Sequence, residues 1–115
     1  MSRPRVVVVD DHALFRAGVV AELGDRVELV ATADDIDAAI AVVCETLPDV
    51  VLLDVHLPSG TAEAVITACA HLDTVRFLAL SVSDAPDDVI TLVRAGARGY
   101  VTKSISSEEL CDAVD

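Results

Sequence analysis

The segment VVVVDD, residues 6–11, decides the fold because it joins four consecutive valines to two adjacent aspartates. A short β-branched run without polar alternation is typical of a strand buried on both faces, as in a parallel sheet. Two neighbouring carboxylates each make the other harder to ionise, so Asp10 and Asp11 at the end of a buried strand need a chemical reason. The segment therefore predicts a parallel sheet with a polar site at its edge.

Short apolar runs alternate with longer helical patterns along the rest of the chain. The predicted strands are VVVV (6–9), ELVAT (28–32), VVLLD (50–54), VRFLAL (75–80) and GYVT (99–102). The first predicted helix, residues 12–24, ends at Gly24. The second is capped by Asp34 or Asp35, carries an apolar stripe of Ile36, Ala39, Ile40, Val43 and Leu47, and ends before Pro48.

Three further helices complete the alternation. The third predicted helix is striped by Val65, Ile66, Cys69 and Leu72, and the fourth, from Pro86 to about Gly96, is striped by Val89, Ile90 and Val93. A capping box in SSEEL, residues 106–110, opens the fifth, which has about nine residues. Such a chain predicts an α/β fold: a doubly wound, five-stranded parallel sheet of order 2-1-3-4-5 with helices on both faces.

Composition limits the possible functions. A length of 115 residues with 53% hydrophobic content suits a single domain, and a net charge of -12 would repel nucleic acid and anionic lipid. No apolar run reaches the roughly 20 residues of a membrane span and no signal peptide precedes the first strand, so we expect a cytoplasmic protein. Cys44, Cys69 and Cys111 are widely spaced, so we expect small core residues in a reducing compartment.

Polar side chains follow four of the five predicted strands. They are Asp10 and Asp11 after the first strand, Asp54 at the end of the third, Ser81 after the fourth and Lys103 after the fifth. The second strand ends in Thr32 and Ala33, and in the order 2-1-3-4-5 this strand is the edge remote from the ligand site. Each residue alone has an ordinary explanation as a cap, a turn or a surface charge, but their convergence at one edge indicates a functional site.

Three crowded carboxylates predict a cation site. Two unit charges about 4 Å apart repel by on the order of 4 kcal/mol at the effective dielectric of a protein surface. Carboxylate oxygens, a backbone carbonyl and waters suit Mg²⁺, which takes one or two carboxylates directly. A divalent ion beside the Lys103 ammonium would attract a phosphoryl group, and Asp54 is the candidate nucleophile because it is central and carried on a buried strand.

At this point the sequence resembles a response-regulator receiver domain of two-component signalling, and VVVVDDHALFRAGV with PDVVLLDVHLP most resembles the LuxR-type transcriptional regulators. The resemblance covers residues 1–115. Its motifs are the acidic pair, Asp54 followed by Leu57 and Pro58, the Ser81 hydroxyl, and Tyr100 three residues before Lys103. The resemblance implies the flavodoxin-like form of the predicted fold.

The resemblance also implies a mechanism. A sensor histidine kinase would supply the phosphoryl group to Asp54, with Mg²⁺ bound by Asp11 and Asp54 directly, by Asp10 mainly through water and by the His56 backbone carbonyl. Lys103 would pair with the phosphoryl group, while Ser81 and Tyr100 would act as switch residues that change the face made by helix four, strand five and helix five.

The implied protein is a phosphoacceptor switch, with at most self-phosphorylation and self-dephosphorylation activity. The switched face would control homodimerisation or a helix-turn-helix domain that contacts DNA. We expect that domain in the full-length protein, after these 115 residues, which suggests a truncated chain.

Three positions depart from the common family pattern. Val82 follows the switch serine where a smaller residue usually lies, so access to the phosphoryl pocket is expected to narrow. Ser104 replaces the proline that often follows the lysine, and a trans peptide is expected there because a cis bond without proline costs about 2.5–4 kcal/mol. Ala62 stands where many members have glycine and bears only on the entry to helix three.

Alternative functions remain open from the sequence. One is a receiver-like dimerisation or docking module that does not depend on phosphorylation. Another is an enzyme of the same architecture, but a flavin-binding domain needs amide- and hydroxyl-rich loops after the first strand, where DDHA offers acid. An aspartate-based phosphatase would carry D-x-D after that strand, whereas this chain has D-D and its best nucleophile on strand three.

Overall fold

The computed structural model describes residues 3–57, 60–72, 74–81, 90, 93–94 and 96–102. The strands are β1 (Arg5–Val9), β2 (Glu28–Ala33), β3 (Val50–Asp54), β4 (Arg76–Ser81) and β5 (Gly99–Thr102), and the helices are α1 (Ala13–Leu23), α2 (Ile36–Thr46) and α3 (Glu63–Ala68). The strands form one sheet in the order β2-β1-β3-β4-β5, and every neighbouring pair is parallel. The predicted fold and strand order are therefore confirmed.

The sheet is buried on both faces. Successive side chains of a strand point to opposite faces, so the valine run of β1 divides into two sets. Val7 and Val9 join the core beneath α2 and α3, whereas Val6 and Val8 join the core beneath α1. The helices therefore cover both faces, and this explains why β1 lacks the polar alternation of a half-exposed strand.

Capping residues set the ends of α1 and α2. Gly24 follows α1 with φ 50°, a left-handed value that glycine adopts without steric cost, and its N–H bonds to the Val20 carbonyl. Of the two predicted caps for α2, Asp35 is the N-cap, and its side chain accepts a 2.7 Å hydrogen bond from the Ala38 N–H.

The predicted apolar stripe of α2 is correct except at its last residue. Ile36, Ala39 and Val43 are buried and Ile40 is partly buried, but Leu47 is 50% exposed. Leu47 lies beyond the helix end with φ 48° and ψ 61°, and this left-handed backbone turns its side chain off the helical stripe. Pro48 follows because it cannot continue a helix.

The third helix is shorter than its apolar stripe predicted. α3 ends at Ala68, and turns carry the chain through Cys69 to Leu72, held by the Leu72 N–H on the Cys69 carbonyl at 2.9 Å. Val65, Ile66 and Cys69 are buried, so they still serve the core. The periodicity persists beyond the helix because these turns keep a nearly helical spacing.

The expectation that the cysteines are core residues is wrong for Cys44. Cys69 is buried, but Cys44 is exposed, and both are free thiols. Cys111 and the fifth predicted helix lie outside the described residues. In the fourth predicted helix the described positions 90, 93 and 94 are helical, and Ile90 and Val93 are each 46% exposed. Among the described helices none has the length and apolarity that crossing a bilayer requires.

Candidate functional site

The register of β1 and β3 places Asp10 beside Asp54. Val9 pairs with Leu53, so the next residue of each strand lies at the same level, and the Asp10 N–H continues the ladder by bonding to the Ala33 carbonyl at 3.0 Å. Side chains two positions apart on a strand point to the same face, so Asp10 lies on the face of Val8 and Asp54 on the face of Leu52. This is the face that α1 covers. Among the described residues, the buried polar or charged side chains are these two aspartates, at 0% and 2% exposure.

α1 begins directly beside this acidic pair. His12 is the N-cap of α1, and its backbone N–H donates a 2.8 Å hydrogen bond to Asp10 Oδ1. Its ring Nδ1 lies 3.2 Å from Asp10 Oδ1, 3.2 Å from Asp11 Oδ1 and 3.9 Å from Asp54 Oδ2. The ring therefore reaches all three carboxylates, although 62% of the side chain is exposed.

Arg16 fixes the loop from the next turn of α1. Its Nη1 donates a 2.7 Å hydrogen bond to the backbone carbonyl of Asp10. A guanidinium is always charged, so this bond both fixes the Asp10 backbone and brings a positive charge near the acidic cluster. The position of the carboxylates thus depends on β1, β3 and the first turns of α1 together.

The donor set fits a divalent cation. Ligand atoms of Asp10, Asp11, His12 and Asp54 all lie within 4.8 Å of one another. Carboxylate oxygens at such separations repel one another strongly, and hard divalent ions bind such oxygens. The cluster can therefore hold a metal ion, and Asp11 and His12 lie on its exposed side, from which an ion can enter.

The other predicted site residues are described only in part. Ser81 is the last residue of β4 and pairs with Thr102, and Tyr100 of β5 pairs with Ala79 of β4. β4 is next to β3 on the side away from β1, and β5 is the strand beyond β4. His56 lies in a two-residue antiparallel ribbon, in which His56–Leu57 pairs with Gly60–Thr61, and its backbone follows Asp54 by two residues.

The remaining positions singled out in the sequence are Lys103, Val82, Ser104 and Ala62. Lys103, Val82 and Ser104 lie outside the described residues. Ala62 is buried and precedes α3 with φ -59°, a value that does not require glycine.

His12 is a site residue that the sequence pattern did not predict. The signal was its place directly after the Asp10–Asp11 pair, at the first turn of a helix that packs on the same face of the sheet. A residue there lies over the carboxyl ends of β1 and β3, so a ring one residue after an acidic pair falls within reach of both strands.

Comparison with known proteins gives a consistent picture. Residues 6–115 match the protein family described as "Response regulator receiver domain". The chain is 40% identical to the transcriptional regulatory protein NarL of Mycobacterium tuberculosis over 114 residues, covering 96% of this chain and 52% of NarL.

Two solved structures agree with this match. The signal receiver domain of NarL from Mycobacterium tuberculosis superposes with a TM-score of 0.91 at 38% identity, covering 99% of this chain and 94% of that one. A two-component response regulator of the LuxR family from Aurantimonas sp. SI85-9A1 superposes with a TM-score of 0.89 at 31% identity. This match covers 98% of this chain and 83% of that one.

These matches cover almost all of this chain but only part of the curated relatives. The chain spans about half the length of the curated relatives that it matches. Receiver domains of this family are signalling switches of two-component systems rather than classical enzymes. The parallel sheet, the acidic cluster at its edge and the match over residues 6–115 together establish that the chain belongs to the response regulator receiver family, among the receivers of LuxR-type regulators.

Proposed function

We propose that this domain accepts a phosphoryl group on Asp54 from a sensor histidine kinase, in a reaction that depends on Mg²⁺. The observation that supports this most is the pair of buried carboxylates: Asp54 and Asp10 are the buried charged side chains of the described core, and they lie side by side with Asp11 at the entrance. Carboxylates that are crowded together repel one another, and such clusters of titratable groups are typical of functional sites.

The proposed phosphoryl transfer needs little movement of the acceptor. Asp54 ends a strand that pairs with neighbours on both sides, so its carboxylate is held in place before the donor arrives. In the proposed step an Asp54 carboxylate oxygen forms a bond to phosphorus while the bond between phosphorus and the donor histidine nitrogen breaks. The donor imidazole leaves with the electron pair of that bond.

Charge in this step develops on the phosphoryl oxygens and must be balanced. Asp10, Asp11 and Asp54, with the His56 backbone carbonyl, are the groups proposed to hold Mg²⁺. The bound ion would supply the positive charge that lets a phosphoryl group approach the carboxylates. Lys103 is proposed to pair with the phosphoryl group from the end of β5, next to β4.

Ser81 and Tyr100 are proposed to transmit the effect of phosphorylation at Asp54 to the rest of the domain. Ser81 ends β4, the strand next to β3, and directly follows Leu80, the partner of Asp54, whereas Tyr100 lies on β5, two strands from Asp54. A phosphoryl group adds roughly -1.5 to -2 charges with new acceptor oxygens, which would favour one arrangement of the following loops. We propose that this changes the face of helix four, β5 and helix five, and so controls homodimerisation or a DNA-binding domain.

The test is phosphorylation of the purified protein by a small phosphodonor with Mg²⁺, followed by intact-mass measurement. The matched variants are Asp54→Asn and Asp49→Asn, which make the same chemical change at opposite ends of β3. Asp49 accepts a hydrogen bond from the Arg5 N–H at 2.8 Å, and an asparagine oxygen can keep that bond.

The parent and Asp49→Asn are expected to gain one phosphoryl group, whereas Asp54→Asn and a parent sample with EDTA are expected to gain none. No gain in the parent, either from the phosphodonor or from its cognate kinase, would favour the alternative of a docking module that does not use phosphorylation. In that case size-exclusion chromatography would give the same dimer content with and without beryllofluoride.

A further inference from the structure

The His12 ring adds a nitrogen donor to a cluster that is otherwise made of oxygen. Its Nδ1 lies 3.2 Å from one oxygen each of Asp10 and Asp11 and 3.9 Å from one of Asp54. Two ligands that each lie about 2.1 Å from the same ion are about 3 Å apart when they bind at right angles, and about 4 Å apart when they bind on opposite sides. The observed separations fit atoms that share one ion, and the 3.2 Å contact between Nδ1 and Asp10 Oδ1 is a hydrogen bond that a bound ion would replace.

The backbone holds the ring at this position. The His12 N–H bonds to Asp10 Oδ1 at 2.8 Å, and the Asp10 carbonyl accepts the Arg16 Nη1 bond at 2.7 Å. His12 is therefore tied to the loop that carries the carboxylates, at both its main chain and its side chain. Because the ring is 62% exposed, an ion can enter beside it without opening the core.

We infer that His12 Nδ1 is a ligand of the bound cation and that it shifts the preference of the cluster from Mg²⁺ towards divalent transition ions of the Fe²⁺, Co²⁺ and Ni²⁺ class. This inference rests on the metal site of the proposed function. Mg²⁺ prefers oxygen ligands and keeps several waters, so it gains little from an imidazole. Transition ions bind imidazole nitrogen well.

The ring chemistry is compatible with this role. A ligating Nδ1 needs its lone pair, so the proton of the neutral ring must lie on Nε2. With most of the side chain exposed, water can accept the hydrogen bond from Nε2. The ring therefore needs no buried partner to bind the ion in this tautomer.

The test is calorimetric titration of the whole 115-residue protein with Ni²⁺ and, separately, with Mg²⁺. The variant is His12→Asn, because asparagine is a favoured N-cap and keeps α1 intact while it removes the imidazole. His71→Asn is the matched control, since His71 is exposed and lies outside the cluster. Asp54→Asn identifies which binding event belongs to the cluster.

We expect His12→Asn to weaken Ni²⁺ binding at the cluster by about tenfold or more and Mg²⁺ binding by less than about twofold. His71→Asn is expected to change neither. Pulsed electron paramagnetic resonance of the Mn²⁺-loaded protein gives a direct reading of the ligand. It is expected to detect ¹⁴N coupling in the parent and in His71→Asn, and to lose that coupling in His12→Asn and in His12→Ala.

Unchanged Ni²⁺ affinity in His12→Asn, with no ¹⁴N coupling in the parent, would overturn the inference while leaving Mg²⁺ binding and phosphorylation of Asp54 intact. Tighter binding of both ions in His12→Asn would also overturn it, because the ring would then be a competitor for the ion position. Failure of the parent to bind any of the ions would contradict the metal site itself, and the proposed function with it.

Discussion

Asp49 and Asp54 flank the same strand but lie in opposite environments. Asp49 is exposed, and its side chain accepts a hydrogen bond from the Arg5 N–H. Asp54 is 2% exposed and lies with two further carboxylates. At the residue scale, the aspartate before β3, Asp49, is therefore exposed and hydrogen-bonded. The aspartate at the other end, Asp54, lies in a cluster of carboxylates that suits a cation.

The two described cysteines also differ in environment, although they are neighbours in the structure. Burial, and to a smaller extent the neighbouring Cys44, together raise the pKa of the Cys69 thiol from 9.0 to about 11. Because the thiolate is the nucleophile, we expect iodoacetamide at pH 8 to modify the exposed Cys44 first and Cys69 at least about tenfold more slowly. Peptide mass spectrometry over a time course measures both rates.

A Cys44→Ser variant is the control for this prediction. Cys69 is expected to stay slow in it, because burial is the larger cause of its raised pKa. Equal rates at the two thiols of the parent would contradict the assignment. The same shift stabilises the fold below pH 9, and this contribution is expected to be lost as the pH rises towards 11.

At the scale of elements, Arg5 joins the start of β1 to the end of α2. Its Nη1 donates to the carbonyls of Thr46 at 2.7 Å and Leu47 at 3.3 Å, where the last carbonyls of a helix lack partners. Its Nε also lies 3.7 Å from a carboxylate oxygen of Glu28. The helix end therefore depends on a residue about forty positions earlier in the chain.

We expect Arg5→Ala to lower the free energy of unfolding by about 1–2 kcal/mol, because two carbonyls lose a charged donor. Urea unfolding followed by circular dichroism measures this. Glu28→Gln removes only the exposed ion pair and is expected to cost less than about 0.5 kcal/mol. A larger loss of unfolding free energy in Glu28→Gln than in Arg5→Ala would contradict this prediction. The ion pair with Glu28, and not the bonds to the carbonyls at the helix end, would then be the stabilising contact.

The left-handed backbone at Leu47 makes a second prediction about this element. A residue with a β-carbon pays roughly 1 kcal/mol or more at φ 48°, and glycine does not. We therefore expect Leu47→Gly to be more stable than Leu47→Ala by about 1 kcal/mol, although both lose the leucine side chain. Thermal unfolding of the pair checks this, and an alanine variant as stable as the glycine variant would contradict the prediction.

At the scale of the whole molecule, the strands were the most predictable part. The runs VVVV and VVLLD allow few other interpretations, since continuous β-branched or apolar segments of this length suit strands covered on both faces. Their carboxyl ends then place Asp10 beside Asp54 without further information. The order of the strands followed from general rules for alternating β and α units.

Tertiary contacts decided what the sequence pattern could not. The pattern placed Leu47 and Cys44 on a core face, but α2 ends one residue before Leu47, and Cys44 lies on the exposed side of the same helix. His12 was overlooked because helical periodicity says nothing about where a side chain at a helix start points. Its contact with Asp54 joins residues 42 positions apart.

The central claim is that the carboxylates of this site repel one another and are held together for a cation. Urea unfolding of the parent, Asp54→Asn and Asp49→Asn, each with and without Mg²⁺, tests it most directly. Without Mg²⁺, we expect Asp54→Asn to be more stable than the parent by roughly 1–3 kcal/mol, because one crowded charge is gone. Mg²⁺ at about 100 times its Kd should stabilise the parent and Asp49→Asn by about 2.7 kcal/mol, and Asp54→Asn by less than half of that.

The contradictory result is equally clear: a parent whose stability does not respond to Mg²⁺, together with an Asp54→Asn variant that is less stable than the parent in the absence of metal.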